Sequence, residues 1–221
     1  MSKALRAFVL SVACAGCSSL LESKQPVSEA YVLAPAPAPA AQSAAGGNPD
    51  VDLSIGRPGL APGLDTQRIA VLKGRQLDYY RAARWGASAV EVVQTLLVDS
   101  LEDQRLFRSV TAEQTRVAGD YVLDVEVRDF QAEYAAQSAA PSVHVTMIGR
   151  LIRVVDRELV GTVNAEARSQ AADNRLSAVV AAFESASQQV ALEIARRTAA
   201  DVAGDADKLR ARRDPGERAA R

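Results

Sequence analysis

The sequence predicts one α+β domain, a mainly antiparallel sheet with two long helices packed on one of its faces. Segments with strand periodicity come both before and after a first helical segment, and a second long helical segment follows the last strands. Residues 51–204 have the length of a single domain. A domain of this size buries roughly 70% of its unfolded surface, so an ordinary apolar core is enough to stabilise it.

Two strand signals precede the first helix. Apolar residues alternate with polar ones from Val51 to Ile55, until glycines and prolines end the run. Residues 69–72 and 76–80 then predict two strands that are joined by a turn at Gly74. We therefore expect a strand, a loop and a β-hairpin in this order.

The first helix is marked by its N-terminal cap. Ser88 and Glu91 have the spacing of a capping box, in which each side chain accepts a hydrogen bond from the backbone of the other residue. Apolar residues recur at helical spacing from Ala89 to Leu101. We expect an amphipathic helix that packs one face on the sheet, followed by a short strand at residues 106–110.

Three further strands are expected after this point. Apolar and charged residues alternate over residues 123–128, and Phe130 departs from the alternation, which predicts a β-bulge. The next strands begin at Val143 and Leu159, with a turn at Asp156 between them. The three strands together predict an antiparallel meander.

The meander face that points away from the helices is predicted to be polar. Its residues are Asp124, Glu126, Arg128, Thr162, Asn164, Glu166 and Arg168. Two interpretations stay open, because such a face is either solvated or an interface.

The second helix carries apolar residues at helical spacing from Val179 to Ile194. Gly204 is predicted to end it as a left-handed cap. Residues 205–221 are rich in charge and have no apolar stripe. They predict a disordered tail.

The N-terminus has the features of an export signal that ends in a lipidation site. Lys3 and Arg6 precede an apolar run over residues 7–15 that is too short to span a bilayer. Small residues then lead directly into Cys17, a spacing similar to the bacterial lipobox. We expect a lipoprotein signal peptide at residues 1–16 and a diacylglycerol and an acyl chain on Cys17, which together give a firm anchor.

Two alternatives remain at the N-terminus. Cys14 replaces the usual leucine of the lipobox, so either cysteine is a candidate for the modification. A plain signal peptide is the other reading. No aspartate follows Cys17, and similarity to Gram-negative sorting rules then implies the outer membrane.

Residues 17–50 are predicted to be the lipidated cysteine and an Ala/Pro-rich tether. Alternating prolines over residues 34–40 favour polyproline II and cannot nucleate a helix. Fully extended, a tether of this length reaches roughly 100 Å. Tyr31-Val32-Leu33 interrupts the polar sequence and is either a short docking strand or solvated chain.

Composition and motifs argue against an enzyme. The chain contains neither a Gly-x-x-x-x-Gly-Lys-Ser/Thr nor a Gly-x-Ser-x-Gly motif. The single histidine, His144, lies on a predicted strand and is expected to be a surface or interface residue. Both cysteines precede the folded region, so it has no disulfide or thiolate metal site. We expect no cofactor apart from the lipid, and no metal.

Charge gives no sign of a nucleic-acid partner. The chain has a formal net charge of −1, and loss of Lys3 and Arg6 with the leader makes it about −3. A nucleic-acid surface needs a clustered basic face, which this sequence does not predict.

Trp85 and Tyr80 are candidate contacts for lipid or for a partner protein. Trp85 stands just before the capped helix, and its alternative role is an aromatic plug over the core between helix and sheet. Tyr79 and Tyr80 are neighbours on a strand and face opposite ways, so at most one of them lies in the core.

Several segments together resemble the ABC-type transport auxiliary lipoprotein family, the PqiC-like proteins. They are Arg68-Ile69-Ala70-Val71, Leu77-Asp78-Tyr79-Tyr80, Arg84-Trp85 before a capped helix, the strand from Tyr121 to Phe130, and the helix from Phe183 to Ala203. With Cys17, the resemblance covers nearly all of the mature chain. Departures are the long Ala-Pro run and Gly86, where the family more often has alanine.

The resemblance implies a partner role without a reaction of its own. Members are similar to the outer-membrane component of lipid-trafficking systems that pair a permease and an ATPase with a periplasmic Mce-domain protein. We therefore expect an outer-membrane lipoprotein that faces the periplasm, docks the Mce-domain subunit, and supports lipid transfer and envelope integrity. Homo-oligomerisation stays open. The alternatives are a lipoprotein that activates a cell-wall synthase and a lipid-modifying enzyme that depends on His144.

Overall fold

The computed structural model describes residues 28–38, 48–115, 119–135 and 138–218 of the chain. These residues form one mixed sheet of nine strands and two helices. The strands are β1 (Glu29–Tyr31), β2 (Asn48–Ile55), β3 (Gly59–Leu60), β4 (Arg68–Lys73), β5 (Gln76–Trp85), β6 (Phe107–Ala112), β7 (Tyr121–Tyr134), β8 (Ser142–Arg153) and β9 (Glu158–Gln170). The helices are α1 (Ala89–Asp103) and α2 (Leu176–Arg218).

Strand β7 organises the sheet. Along one edge it pairs with β8 over nearly its whole length, and β8 pairs in turn with β9, all antiparallel. Along its other edge it pairs with β2, β3 and β4 in succession, in short parallel ladders. The predicted α+β class, the meander and the β4–β5 hairpin are confirmed, and the parallel pairs make the sheet mixed.

The predicted break in β7 is present as a β-bulge. The register with β8 shifts between Val127 and Asp129, so the residues after the shift change sides. Phe130 thereby returns to the core face and is buried together with Ala132. The bulge lets one 14-residue strand keep its apolar side chains under the helices over its whole length.

Both helices cover the same side of the sheet. The capping box of α1 is confirmed, with the Glu91 N–H donating to Ser88 Oγ (3.3 Å) and the Ser88 N–H donating to Glu91 Oε2 (3.2 Å). Helix α1 packs on β2 and β6, and α2 packs on β7, β8, β9 and α1. No helix of the described residues is long and apolar enough to cross a membrane.

Three aromatic rings form the centre of the core. The ring centroids of Trp85 and Phe130 are 5.5 Å apart, those of Trp85 and Phe183 are 5.2 Å apart, and those of Phe130 and Phe183 are 5.1 Å apart. All three side chains are fully buried. Each ring comes from a different element, so this aromatic triad joins β5, β7 and α2.

The predicted end of the second helix is wrong. Helix α2 continues through Gly204 to Arg218, where the sequence predicted a cap and a disordered tail. Asp205 lies beyond the predicted end, yet it is buried and accepts hydrogen bonds from Arg153 Nη1 (2.7 Å) and from the Tyr121 hydroxyl (2.8 Å). A helical glycine costs only about 1 kcal/mol relative to alanine, and these tertiary contacts outweigh it.

The Arg153–Asp205 ion pair gives a first testable prediction. Both side chains are buried, and an unpaired buried charge is strongly destabilising, whereas replacing both partners by apolar residues is often neutral. We expect Arg153→Met and Asp205→Leu each to lower the urea midpoint more than the double variant does. The exposed pair of Arg196 and Glu193 is the control, and its removal should change stability little. Additive losses at Arg153 and Asp205 would show that the pair is not coupled.

The hydroxyl of Tyr121 gives a second prediction. Burial, and then its hydrogen bond to Asp205, raise the pKa of Tyr121 to about 12. A group whose pKa is raised on folding contributes stability that is present below its unfolded pKa, near 10, and is lost as the pH rises through about 12. We expect the Tyr121→Phe variant to lose less stability than the wild type between these two pH values. Equal slopes of unfolding free energy against pH would contradict this.

Candidate functional site

The N-terminal segment of residues 28–38 is part of the folded domain. Strand β1 pairs in parallel with the end of β5, with Glu29 opposite Ala83 and Tyr31 opposite Trp85. The Gly86 N–H donates a further hydrogen bond to the Tyr31 carbonyl (2.7 Å). Of the two interpretations of Tyr31-Val32-Leu33, the docking strand is therefore correct.

The Ala-Pro run that follows β1 crosses both helices. The Ala34 N–H donates to Glu184 Oε2 (2.9 Å) on α2, and the Ala36 N–H donates to Ser100 Oγ (2.8 Å) on α1. Carbonyl groups of the run accept from side-chain amides: Gln188 donates to Ala34 and Pro35, and Gln104 donates to Pro37. Ala36 is fully buried. The helices thus hold an extended Pro-rich segment by its backbone groups, without requiring sheet pairing.

These contacts correct the expected tether of residues 17–50. Residues 28–38 are docked, and β2 already begins at Asn48. Cys17 and residues 18–27 lie outside the described residues, and so do residues 39–47. The 11 residue steps from Cys17 to Ser28 span at most about 40 Å at full extension. An anchor at Cys17 would therefore hold the domain much nearer to a bilayer than the expected 100 Å.

A shallow apolar groove lies beside the docked segment. It has a volume of about 300 Å³ and is lined by Val32, Leu33, Gly86, Ala87, Glu91, Val92 and Thr95. Val32 is 75% exposed and forms part of its wall. Two of its lining residues, Val32 and Leu33, follow β1 in the docked segment, so one wall of the groove depends on the docking of residues 28–38.

Trp85 does not lie on the surface. It is 1% exposed and packs between Phe130 and Phe183, so it cannot contact lipid or a partner directly. Its role is the alternative one, a plug in the core. Tyr80 is partly buried, and its hydroxyl lies 3.2 Å from that of Tyr134. Burial, and then this hydrogen bond, raise the pKa of Tyr80. Part of the Tyr80 side chain stays accessible, and its role as a contact for lipid or a partner protein stays a prediction.

His144 is buried within a network of ion pairs. It is 8% exposed, with Nδ1 3.0 Å from Glu133 Oε1 and Nε2 2.9 Å from Glu166 Oε1. These contacts connect all three strands of the meander, because Glu133 is on β7 and Glu166 is on β9. His144 thus lies on the helix-free face of the sheet but is enclosed by charged neighbours there.

The same network brings possible metal ligands together. Ligand atoms of Asp129, Glu133 and His144 lie within 4.8 Å of one another. Arg168 Nη1 donates to Glu133 Oε2 (2.7 Å), and Gln131 Nε2 donates to Asp129 and Glu133. Burial opposes ionisation of Glu133, but hydrogen bonds from Arg168 and then His144 outweigh it and lower the pKa of Glu133. Protein groups thus compensate the negative charge of these carboxylates, chiefly the Arg168 guanidinium at Glu133.

One end of the helix-free face is apolar, although the alternating sequence pattern predicted a polar face there. Val122, Ile152 and Leu159 lie opposite one another on β7, β8 and β9. Val154 and Val155 follow in the turn between β8 and β9. We call these five residues the distal apolar patch. Their alignment depends on the strand register, including a shift between Leu151 and Ile152. The register is not visible in the local sequence pattern, so the patch could not be predicted from it.

Comparison with known proteins gives the family. A sequence model of the ABC-type transport auxiliary lipoprotein component family matches residues 31–195. The chain belongs to this family. No curated protein matches it significantly.

Two solved structures support the assignment of the fold of this ABC-type transport auxiliary lipoprotein. One is a Xanthomonas campestris protein of the DUF330 family, 26% identical, with a TM-score of 0.70, covering 80% of this chain and 97% of that one. The other is an uncharacterised protein, 14% identical, with a TM-score of 0.58, covering 76% of this chain and 99% of that one.

The family match also bears on the docked segment. The matched region begins at Tyr31, the last residue of β1, and includes the Ala-Pro contacts with α1 and α2. In this transport auxiliary lipoprotein, the sequence that leads to Cys17 is therefore continuous with the family domain.

Proposed function

We propose that this protein is the outer-membrane subunit of an ABC-type intermembrane lipid transport system. It is anchored by acyl chains on Cys17, faces the periplasm, and docks the Mce-domain subunit of the system. It carries out no reaction of its own and supports lipid transfer and envelope integrity. The observation that carries the proposal is membership of a family of ABC-type transport auxiliary lipoproteins.

The docked N-terminal segment supports this role. Glu29–Tyr31 and Ala36 attach the start of the domain to β5, α1 and α2, so the anchoring sequence leaves from a fixed place on the surface. The remaining reach of about 40 Å confines the domain to a thin layer beside the bilayer. Confinement raises the effective concentration of the domain for a partner that reaches the same layer.

The absence of a reaction is supported by the surroundings of His144. Both of its ring nitrogens contact carboxylates, and neither the 300 Å³ groove nor the larger cavity near Arg153 is lined by it. Its neighbours Glu133, Arg168 and Glu166 form an ion-pair network that joins three strands. Such networks are common structural features and need no catalytic role.

Co-purification tests the proposal. The full-length lipidated chain would be isolated from detergent-solubilised envelopes, and its partners would be identified by mass spectrometry. We expect an Mce-domain protein among these partners. Reproducible absence of that protein, or its replacement by a cell-wall synthase, would refute the proposed function.

A further inference from the structure

We propose that the distal apolar patch is the surface that binds the periplasmic subunit, through a segment of that partner that carries an apolar side chain next to basic residues. This inference rests on the proposed function and adds the place and the chemistry of the contact. It is carried by four observations: an exposed apolar row, a cavity beside it, an excess of carboxylates around it, and its distance along the sheet from Ser28, where the chain towards Cys17 begins.

The patch contains aliphatic side chains that are largely exposed to solvent in the folded domain. Val155 is 86% exposed and Leu159 is 56% exposed, and Val154 beside them is also exposed. Leu159 continues the row formed by Val122 and Ile152 on the helix-free face. Contiguous exposed apolar residues with a polar rim are typical of interaction sites.

A cavity of about 650 Å³ adjoins the patch and is large enough to receive one or two side chains. Apolar walls come from Val51, Tyr121, Val154 and Val155, and polar ones from Asp50, Gly119, Asp120 and Arg153. The Arg153–Asp205 pair and the Tyr121 hydroxyl fix this wall to helix α2. One wall of the cavity is thus held in place, and the cavity can receive an anchor residue of a partner.

The charge around the patch is negative. Arg153 is surrounded by three carboxylates: Asp156 (2.9 Å), Glu158 and Asp205 (2.5 Å). Asp120, which lines the cavity, Asp156 in the turn and Glu158 at the start of β9 are exposed. Arg157 in the turn is also exposed, but the carboxylates still outnumber the guanidinium groups of Arg153 and Arg157. This excess favours a partner segment with Lys or Arg beside its apolar residue. It disfavours an anionic lipid surface, which attracts basic residues.

The patch and Ser28, the first described residue before β1, lie towards opposite ends of the sheet. Strand β1 is parallel to β5, β5 is antiparallel to β4, and β4 is parallel to β7. The N-terminal end of β1 therefore points towards the C-terminal end of β7, whereas the patch lies where β7 begins. The chain towards Cys17 thus starts at the end away from the patch, so the patch stays accessible to a partner that reaches in from the periplasm.

A photocrosslinking residue at position 155 of the full-length lipidated chain tests this surface. Position 32 is the matched control, because Val32 is also a highly exposed valine but belongs to the docked segment, away from the patch. We expect crosslinks from position 155, and not from position 32, to the Mce-domain subunit. We also expect Val155→Asp to reduce co-purification of that subunit at least tenfold, with Val32→Asp unchanged within twofold. Both side chains are exposed, so neither substitution should affect folding.

The outcomes separate this inference from the proposed function. If the wild-type chain does not co-purify the Mce-domain subunit, the proposed function fails. If the wild type co-purifies it but position 155 gives no crosslink and Val155→Asp binds normally, only the docking surface is wrong. Crosslinks from position 155 to a second copy of this chain or to lipid would likewise overturn the surface, since they assign the patch to self-association or to a membrane.

Discussion

Replacing Phe183 with alanine should lower the free energy of unfolding by about 3–5 kcal/mol, because the truncation leaves a cavity that the core cannot fill. Phe183 is fully buried, and its ring packs edge-on against both Trp85 (5.2 Å) and Phe130 (5.1 Å). A loss of this size is a large share of the 5–15 kcal/mol that typically stabilises a domain. Urea unfolding followed by fluorescence measures it directly, since Trp85 is the only tryptophan of the chain.

Phe183→Leu is the control for this prediction. Leucine keeps most of the buried apolar volume, so the loss should be clearly smaller than for alanine. The emission of Trp85 should also shift towards longer wavelengths in Phe183→Ala, because its ring loses a neighbour. A loss below about 1 kcal/mol for Phe183→Ala would mean that the triad does not hold the helix on the sheet.

The second large effect is expected at the docked segment. Ala36 has no exposed surface, and an arginine there cannot be accommodated between α1 and α2 without displacing the chain. We expect Ala36→Arg to release residues 28–38 from the domain. Hydrogen exchange should then accelerate at least tenfold for the backbone amides at positions 34 and 36, which donate to Glu184 and Ser100 in the wild type.

Ala38→Arg is the matched control for the docked segment. Ala38 belongs to the same run and is exposed, so this variant should keep the wild-type exchange rates. If the backbone amides at positions 34 and 36 exchanged equally fast in the wild type and in both variants, the segment would not be docked in solution. Release would also lengthen the tether from about 40 Å towards the 100 Å expected for an undocked chain.

Most of the fold was predictable because its signals are local. The capping box of α1, the turn at Gly74 and the bulge before Phe130 each depend on residues within a few positions of one another. The end of α2 was not predictable in this way. Asp205 is held by Arg153 and Tyr121, which are 52 and 84 positions away, and nothing near Gly204 signals those contacts.

The candidate site was less predictable than the fold for the same reason. The Ala-Pro run has the composition of a tether, and its partners Ser100, Glu184 and Gln188 lie 64 to 154 positions away. Trp85 was correctly singled out, but strand position alone could not decide between core and surface. Val122 and Leu159 come together only through Ile152 and the register of two ladders.

The position proposed for the domain depends on a lipid anchor at Cys17, and mass spectrometry of the N-terminal peptide tests that anchor most directly. The protein would be extracted from envelopes with detergent, partitioned between detergent and water, and digested to release its N-terminal peptide. We expect the detergent phase to contain a chain that begins at Cys17 and carries a diacylglyceryl group and an acyl chain, with Cys17→Ser abolishing the modification. An unmodified chain recovered from the aqueous phase would contradict this.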